Sequence, residues 1–209
     1  MKIAIVGTGN MGTGFIKSLS KTSNQVFIGS REPEKAKKMA QSFGKNFSGG
    51  SVKEATEFGD VIILAVSWKN IKDVLKRTGD LDGKVVIDIS NPVMQDLSGL
   101  AVGPGTSVAE EIAKIVPRSK VVKAFNTIFA TILQSQSKFK NGNPSVFFCG
   151  DDQDAKKKVS DLIKDIGYDP IDAGPLSSAR LLEHLGLINI SFGFKLGMGS
   201  NQAFKLLKL

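Results

Sequence analysis

Six residues near the N-terminus, Gly7-Thr8-Gly9-Asn10-Met11-Gly12, have the spacing G-x-G-x-x-G, and they stand between an apolar run and a helical pattern. In a strand–loop–helix unit the first glycine permits a tight turn. The second lets backbone N–H groups approach a pyrophosphate, and the third brings the helix against the strand. The start of the helix adds unsatisfied N–H donors and the positive end of its dipole. The chemistry this points to is the holding of a dinucleotide by its phosphates.

A second set of residues, Ser30, Arg31 and Lys35, stands in the stretch GSREPEK, with Ser30 18 positions after Gly12. Where NAD is recognised, a carboxylate about 20 residues past the glycines takes the adenosine ribose hydroxyls. Here that slot is held by a serine and an arginine, with a lysine one turn into the next helix. These groups suit a phosphate on the ribose, and so NADP. One charge-assisted hydrogen bond of ~1.5–3 kcal/mol would favour NADP over NAD by one to two orders of magnitude. Glu32 and Glu34 read as acids at a helix start that point to solvent.

Ligands of open parallel sheets sit beyond the carboxyl ends of the strands. Those ends read Ala65-Val66-Ser67-Trp68, Ser90-Asn91-Pro92 and Phe125-Asn126-Thr127. Trp68, the one tryptophan, can cover a nicotinamide or adenine face. Asn91 is held extended by the proline after it, and Asn126 suits a carboxamide.

Oxidation of an alcohol needs a base, most often His, Lys or Tyr. Tyr168 is followed four residues later by Asp172 and lacks the lysine of a Tyr/Lys pair, and His184, in LLEHL, reads as a packing or solvent-facing side chain. Lys123 and Lys195 show no partner in the sequence, and Cys149, in VFFCG, reads as a small buried hydrophobe. Without acid/base groups, hydride exchange between two carriers is the favoured chemistry, because there positioning does most of the work.

The elements that must position these residues alternate along the chain. Apolar runs at 2–6, 25–28, 61–66, 84–89, 120–124, 145–149 and 170–172 read as strands, and patterns at 10–21, 33–42, 70–77, 107–116 and 154–166 read as helices. That alternation predicts an α/β fold, a doubly wound and mostly parallel sheet. From Ser177 onward the spacing turns helical. The expected division is therefore a dinucleotide-binding domain over 1–175 and a small C-terminal helical segment over 176–209.

Composition sets outer bounds. Of the 209 residues 41% are hydrophobic and 23% charged, ordinary values for a globular protein. A net charge of +8 comes from lysines scattered over several segments without interleaved aromatics, which argues against a nucleic-acid surface. One cysteine and one histidine leave no internal disulfide and no closed zinc site, so no metal is expected. No apolar stretch approaches the ~20 residues of a membrane span, and a cytoplasmic location is expected.

The segments IVGTGNMG, IGSREPEKA, LAVSW, VVKAFNTI, VFFCGDD and DAGPLSSARLLE together resemble the deazaflavin-dependent NADP oxidoreductases, over nearly the whole chain. The resemblance implies NADP as cofactor, with Thr8, Gly9, Asn10 and Met11 of the loop Gly7–Gly12 at the pyrophosphate and Ser30, Arg31 and Lys35 at the 2′-phosphate. Ala65, Val66, Ser67, Trp68, Asn91 and Asn126 would line the nicotinamide side. It also implies a small-molecule redox acceptor (a deazaflavin, a flavin or a ferric chelate) and C-terminal helices that close the acceptor pocket and form a homodimer. Related domains occur in membrane ferric reductases. The stretch 91–105 and the tail after Leu185 match the family pattern only loosely, which leaves the acceptor open. Two alternatives stand beside this reading: a non-catalytic NADPH-binding redox sensor, and a small imine or 2-hydroxyacid reductase, for whose helical substrate domain the tail is short.

Overall fold

Strands buried on both faces need apolar residues at every position, not at alternate ones. In β1 (Lys2–Val6) Ile3 and Ile5 join one core cluster while Ala4 and Val6 join another, and β4 (Val61–Leu64) divides in the same way. The computed structural model describes residues 1–135, 139–140 and 142–207, so the last two residues of the expected C-terminal segment lie outside it.

The remaining strands are β2 (Gln25–Ser30), β3 (Phe47–Ser51), β5 (Val85–Asp88), β6 (Lys120–Ala124), β7 (Ser145–Gly150) and β8 (Asp169–Asp172). They form one sheet of eight strands in the order β3-β2-β1-β4-β5-β6-β7-β8. Every pairing is parallel except β6 with β7, which is antiparallel. The helices are α1 (Asn10–Leu19), α2 (Pro33–Gln41), α3 (Val52–Phe58), α4 (Ile71–Leu75), α5 (Val108–Ile115), α6 (Ala130–Ser135), α7 (Gln153–Asp165) and α8 (Ala179–Phe194). The strand order reverses direction at β1, which places a crevice between the mouths of β1 and β4.

The expected doubly wound sheet is present, and the sequence reading missed three of its elements. β3 reads FSGGS and has no apolar signature, because it is an edge strand whose glycines are demanded by contact: a Cβ on Gly49 would lie 2.3 Å from the Ala36 carbonyl oxygen of α2. α3 begins in a capping box, where the Ser51 hydroxyl accepts from the Glu54 N–H and Glu54 accepts from the Ser51 N–H. α6 is too short to show a helical period.

α8 lies across the mouths of β5 and β6. Gly186 makes this possible, since a Cβ there would meet Asn91 Oδ1 at 2.2 Å and Asn126 Nδ2 at 2.8 Å. Arg180, near its start, makes a two-pronged pair with Glu110 of α5, at 2.9 and 2.6 Å, and holds the Glu110 carboxyl below the usual range. The helix ends at Phe194, after which Gly197 and Gly199 take positive φ (69° and 78°). The chain then returns to β7, where Ser145 donates its N–H to the Phe204 carbonyl.

Candidate functional site

Each glycine of the N-terminal loop has a distinct geometric task. Gly7 has φ 119°, and a Cβ there would lie 2.3 Å from the Ala65 carbonyl oxygen of the neighbouring strand end. A Cβ on Gly12 would lie 2.0 Å from the Gly7 carbonyl oxygen, so the third glycine lets α1 close on the loop. Gly9 is different, since a Cβ there would meet nothing within 4 Å. The space beside it is where a pyrophosphate would approach. No side chain caps α1, and its first turn carries no acid, so its N–H donors face that space.

On one side of the loop lies a pocket of about 310 Å³, lined by Gly7, Thr8, Gly9, Ser30, Arg31 and Lys35 among others. Ser30 is buried at the end of β2, and its hydroxyl accepts the Glu32 N–H at 3.1 Å, leaving the hydroxyl proton for a ligand. Arg31 and Lys35 are exposed and make no ion pair among the described residues. Of the two acids, Glu34 pairs outward with Lys37 at 2.8 Å, whereas Glu32 lines the pocket beside Arg31. Glu32 therefore does not simply point to solvent. The opposite wall comes from α4 and the residues flanking it, Asn70, Asp73, Val74 and Arg77. The sequence reading placed a helix over 70–77 but assigned none of these residues to the site, because no motif marks them.

On the other side lies a pocket of about 490 Å³ that shares Gly9, Ala65, Val66 and Ser67 with the first. Asn10, Met11, Trp68, Asn91 and Asn126 also line it, so Asn10 and Met11 face this side rather than the adenosine side. Gly12 lines neither pocket. Trp68 sits half-buried in a short 3-10 turn (Trp68–Asn70), with the Lys69 ammonium 5.9 Å from its ring centroid. Phe129 and, from α8, Asn189, Ile190 and Phe194 complete the pocket. Among the described residues, no side chain that lines it titrates in the ordinary pH range.

The floor of this pocket is a pair of asparagines locked together. Asn126 Nδ2 donates to Asn91 Oδ1 at 2.9 Å and to the Leu182 carbonyl at 2.6 Å, while Asn91 Nδ2 donates to the Asn126 carbonyl at 2.6 Å. Asn126 Oδ1 and Ser90 Oγ are buried and have no partner among the described residues. A free acceptor and a free hydroxyl at this floor fit the amide of a nicotinamide, which carries both a donor and an acceptor. The preceding residue, Phe125, holds a left-handed backbone (φ 62°) and packs edge-on against Phe15, with centroids 5.0 Å apart. Such a conformation costs about 1–3 kcal/mol outside glycine. It turns the chain off the end of β6 and brings Asn126 into the pocket wall.

Behind the floor lies a cluster that the sequence reading missed. Lys123, which shows no partner in the sequence, is fully buried and donates to Asp88 Oδ2 (2.7 Å), Glu183 Oε1 (2.8 Å) and the Ser90 carbonyl (2.7 Å). Burial opposes its charge, but the two carboxylates outweigh that and raise its pKa above the ordinary lysine value. Burial pushes the Glu183 carboxyl up, with Lys123 pulling the other way. The available signal was a lysine and an aspartate inside apolar parallel strands, VVKAF and VVIDIS. Buried charges there must find each other, and Asp88 and Lys123 are register partners.

The other candidate groups are spectators. His184 is exposed and its Nδ1 contacts the Arg180 carbonyl within its own helix, and Lys195 donates to the Leu97 carbonyl. Burial pushes the Cys149 thiol up to about 12, which leaves it unreactive. Among the described residues no three metal-binding side chains gather, and no helix is long and apolar enough to cross a membrane.

A reversing parallel sheet, a glycine loop with open space beside Gly9, and paired pockets along the strand mouths define a Rossmann-type dinucleotide-binding fold. Comparison with known proteins narrows the class. Residues 2–92 match the family model described as NADP oxidoreductase coenzyme F420-dependent. The F420-dependent NADP reductase of Methanocaldococcus jannaschii is 33% identical over 214 residues, covering 93% of each chain. The metalloreductase STEAP3 of Rattus norvegicus is 32% identical over 187 residues, or 89% of this chain, which spans only 36% of that relative's length. A crystal structure of a candidate F420-dependent NADP reductase from Arthrobacter sp. FB24 superposes with a TM-score of 0.87, at 28% identity over the whole of both chains. The chain belongs to the F420-dependent NADP oxidoreductase family, and it is an NADP-dependent oxidoreductase.

Proposed function

We propose that the chain moves hydride between NADPH and a deazaflavin, the two rings meeting in the pocket between the mouths of β4, β5 and β6 and the helix α8. The observation that carries this reading is the chemistry of that pocket's lining, which is apolar and amide-bearing and contains no acid or base among the described residues. Hydride exchange between two planar rings needs proximity and exclusion of water and no protein proton donor. Reduction of an imine or a carbonyl would need such a donor.

When bound, NADPH supplies a hydride at C4 of its dihydronicotinamide. The chain's own residues supply the rest. Gly7, Thr8 and Gly9, with the first N–H groups of α1, hold the pyrophosphate, and Asn10 and Met11 extend that wall toward the nicotinamide. Gly12 serves by letting the helix approach. Ser30, Arg31 and Lys35 hold the 2′-phosphate. Ala65, Val66, Ser67 and Trp68 form one wall of the ring pocket, and Asn91 fixes Asn126 so that its Oδ1 accepts from the carboxamide.

Residues 176–209 are assigned to closing the acceptor side, since Ile190 and Phe194 of α8 reach the pocket. A homodimer through the same segment is supported by its exposed apolar side chains Leu181, Leu196 and Met198. NADPH oxidation measured separately with a deazaflavin, a flavin and a ferric chelate tests the acceptor. Turnover is expected to be fastest with the deazaflavin. Tight NADPH binding with turnover of none of them would favour a redox sensor instead.

A further inference from the structure

We infer that the buried cluster of Lys123, Asp88 and Glu183 acts on the redox chemistry through its charge. It sets one net negative charge behind the ring pocket and so favours the oxidised, cationic nicotinamide over the reduced, neutral one. This rests on the functional reading above, in which that pocket receives the nicotinamide.

The first support is a charge count. One ammonium faces two carboxylates, all three side chains fully buried. A buried lysine needs a single counter-charge, and the second carboxylate is a surplus in a place where unpaired charge is costly. Each acid accepts a backbone hydrogen bond in addition to that of Lys123. Asp88 accepts from the Ser90 N–H at 2.9 Å as well as from Lys123, and Glu183 Oε1 accepts from the Val108 N–H at 2.9 Å as well as from Lys123. Lys123 is the one cation that bonds either acid among the described residues. Glu183 Oε2 is buried and has no partner among them, so part of the surplus charge is not neutralised locally.

The second support is location. The Ser90 carbonyl takes a hydrogen bond from Lys123, and Ser90 itself lines the ring pocket. Glu183 follows Leu182, whose carbonyl holds Asn126 in the pocket floor. The cluster thus lies one residue behind the floor at two points, its three side chains fully buried, where a charge is felt at longer range than in solvent. Transfer of a hydride, one proton with two electrons, to the acceptor leaves the donor ring with one positive charge. The cluster neither gives nor takes a proton in that transfer. Its part is to stabilise the charge that results.

The test compares dissociation constants of NADP⁺ and NADPH for the unsubstituted chain and for Glu183→Gln, at mildly alkaline pH. Gln keeps the shape of the side chain and removes the surplus charge. NADP⁺ binding is expected to weaken by about fivefold or more, with NADPH binding unchanged. Glu183→Asp is expected to restore the ratio of the two constants. Asp88→Asn removes the other carboxylate and is expected to give the same shift, which decides the matter if Glu183→Gln fails to fold. A substitution that weakens both nucleotides by the same factor, or neither, would overturn the inference and leave the cluster a structural tie for α8. Binding of neither nucleotide by the unsubstituted chain would overturn the functional reading itself.

Discussion

Gly9→Val is expected to fold and to lose NADPH binding by roughly a hundredfold or more, the equivalent of about two charge-assisted hydrogen bonds at ~1.5–3 kcal/mol each. The Cβ position at Gly9 meets no atom within 4 Å, and its backbone is extended (φ −77°, ψ −169°), so a Cβ fits there without moving the protein. The cost to stability is that of a poorer helix N-cap, about 1 kcal/mol or less. What the side chain fills is the space through which the α1 N–H groups reach a phosphate. Gly12→Val makes the control, because its Cβ would stand 2.0 Å from the Gly7 carbonyl oxygen inside the packed loop. That variant is expected to lose stability and binding together. Thermal melts followed by circular dichroism, beside NADPH titrations, separate the two. Unaltered NADPH affinity in Gly9→Val would show that the pyrophosphate lies elsewhere.

Arg31→Ala is expected to weaken NADPH binding by about ten- to a hundredfold, one charge-assisted phosphate contact, and NADH binding by about twofold or less. Arg31 lines the pocket of about 310 Å³ with Ser30 and Lys35 and makes no ion pair among the described residues, so its removal breaks no ion pair in the fold. The neighbouring Glu32 sharpens the expectation. With the arginine gone, a carboxylate stays at the pocket wall, where it repels a ribose phosphate and can accept from ribose hydroxyls. Titration with both nucleotides checks this, and equal losses for NADPH and NADH would remove Arg31 from the 2′-phosphate.

The parts of the site that the sequence made visible are those in which the backbone dictates the residue. The glycines at 7 and 12 could be read because turn and packing each exclude a side chain, Gly9 because of its fixed place between them, and Ser30 and Arg31 because their distance from the loop is set by one helix and one strand. Seven of the eight strands showed as apolar runs because the sheet is covered on both faces. β3 did not, since an edge strand that lies against α2 at Gly49 carries glycine where others carry valine. Lys123 was the clearest misreading. Its partners are 35 positions before it and 60 after it, and only the parallel register of β5 with β6 and the docking of α8 bring them together. The same holds for Asn189, Ile190 and Phe194, whose helix carries apolar residues on every side and gives no sign of which face meets the pocket. The alternating order of elements was local information. The far wall of each pocket was not.

The central claim is direct hydride transfer in a pocket without a protein acid or base, and one measurement bears on it most closely. NADPH carrying deuterium at the transferred C4 position is mixed with the chain and an oxidised deazaflavin in ordinary water, and the reduced deazaflavin is weighed by mass spectrometry. The account predicts that the deuterium is recovered in the reduced deazaflavin, because the hydride passes between the two rings without meeting an exchangeable group. Reduced deazaflavin that carries hydrogen from the solvent instead would contradict it.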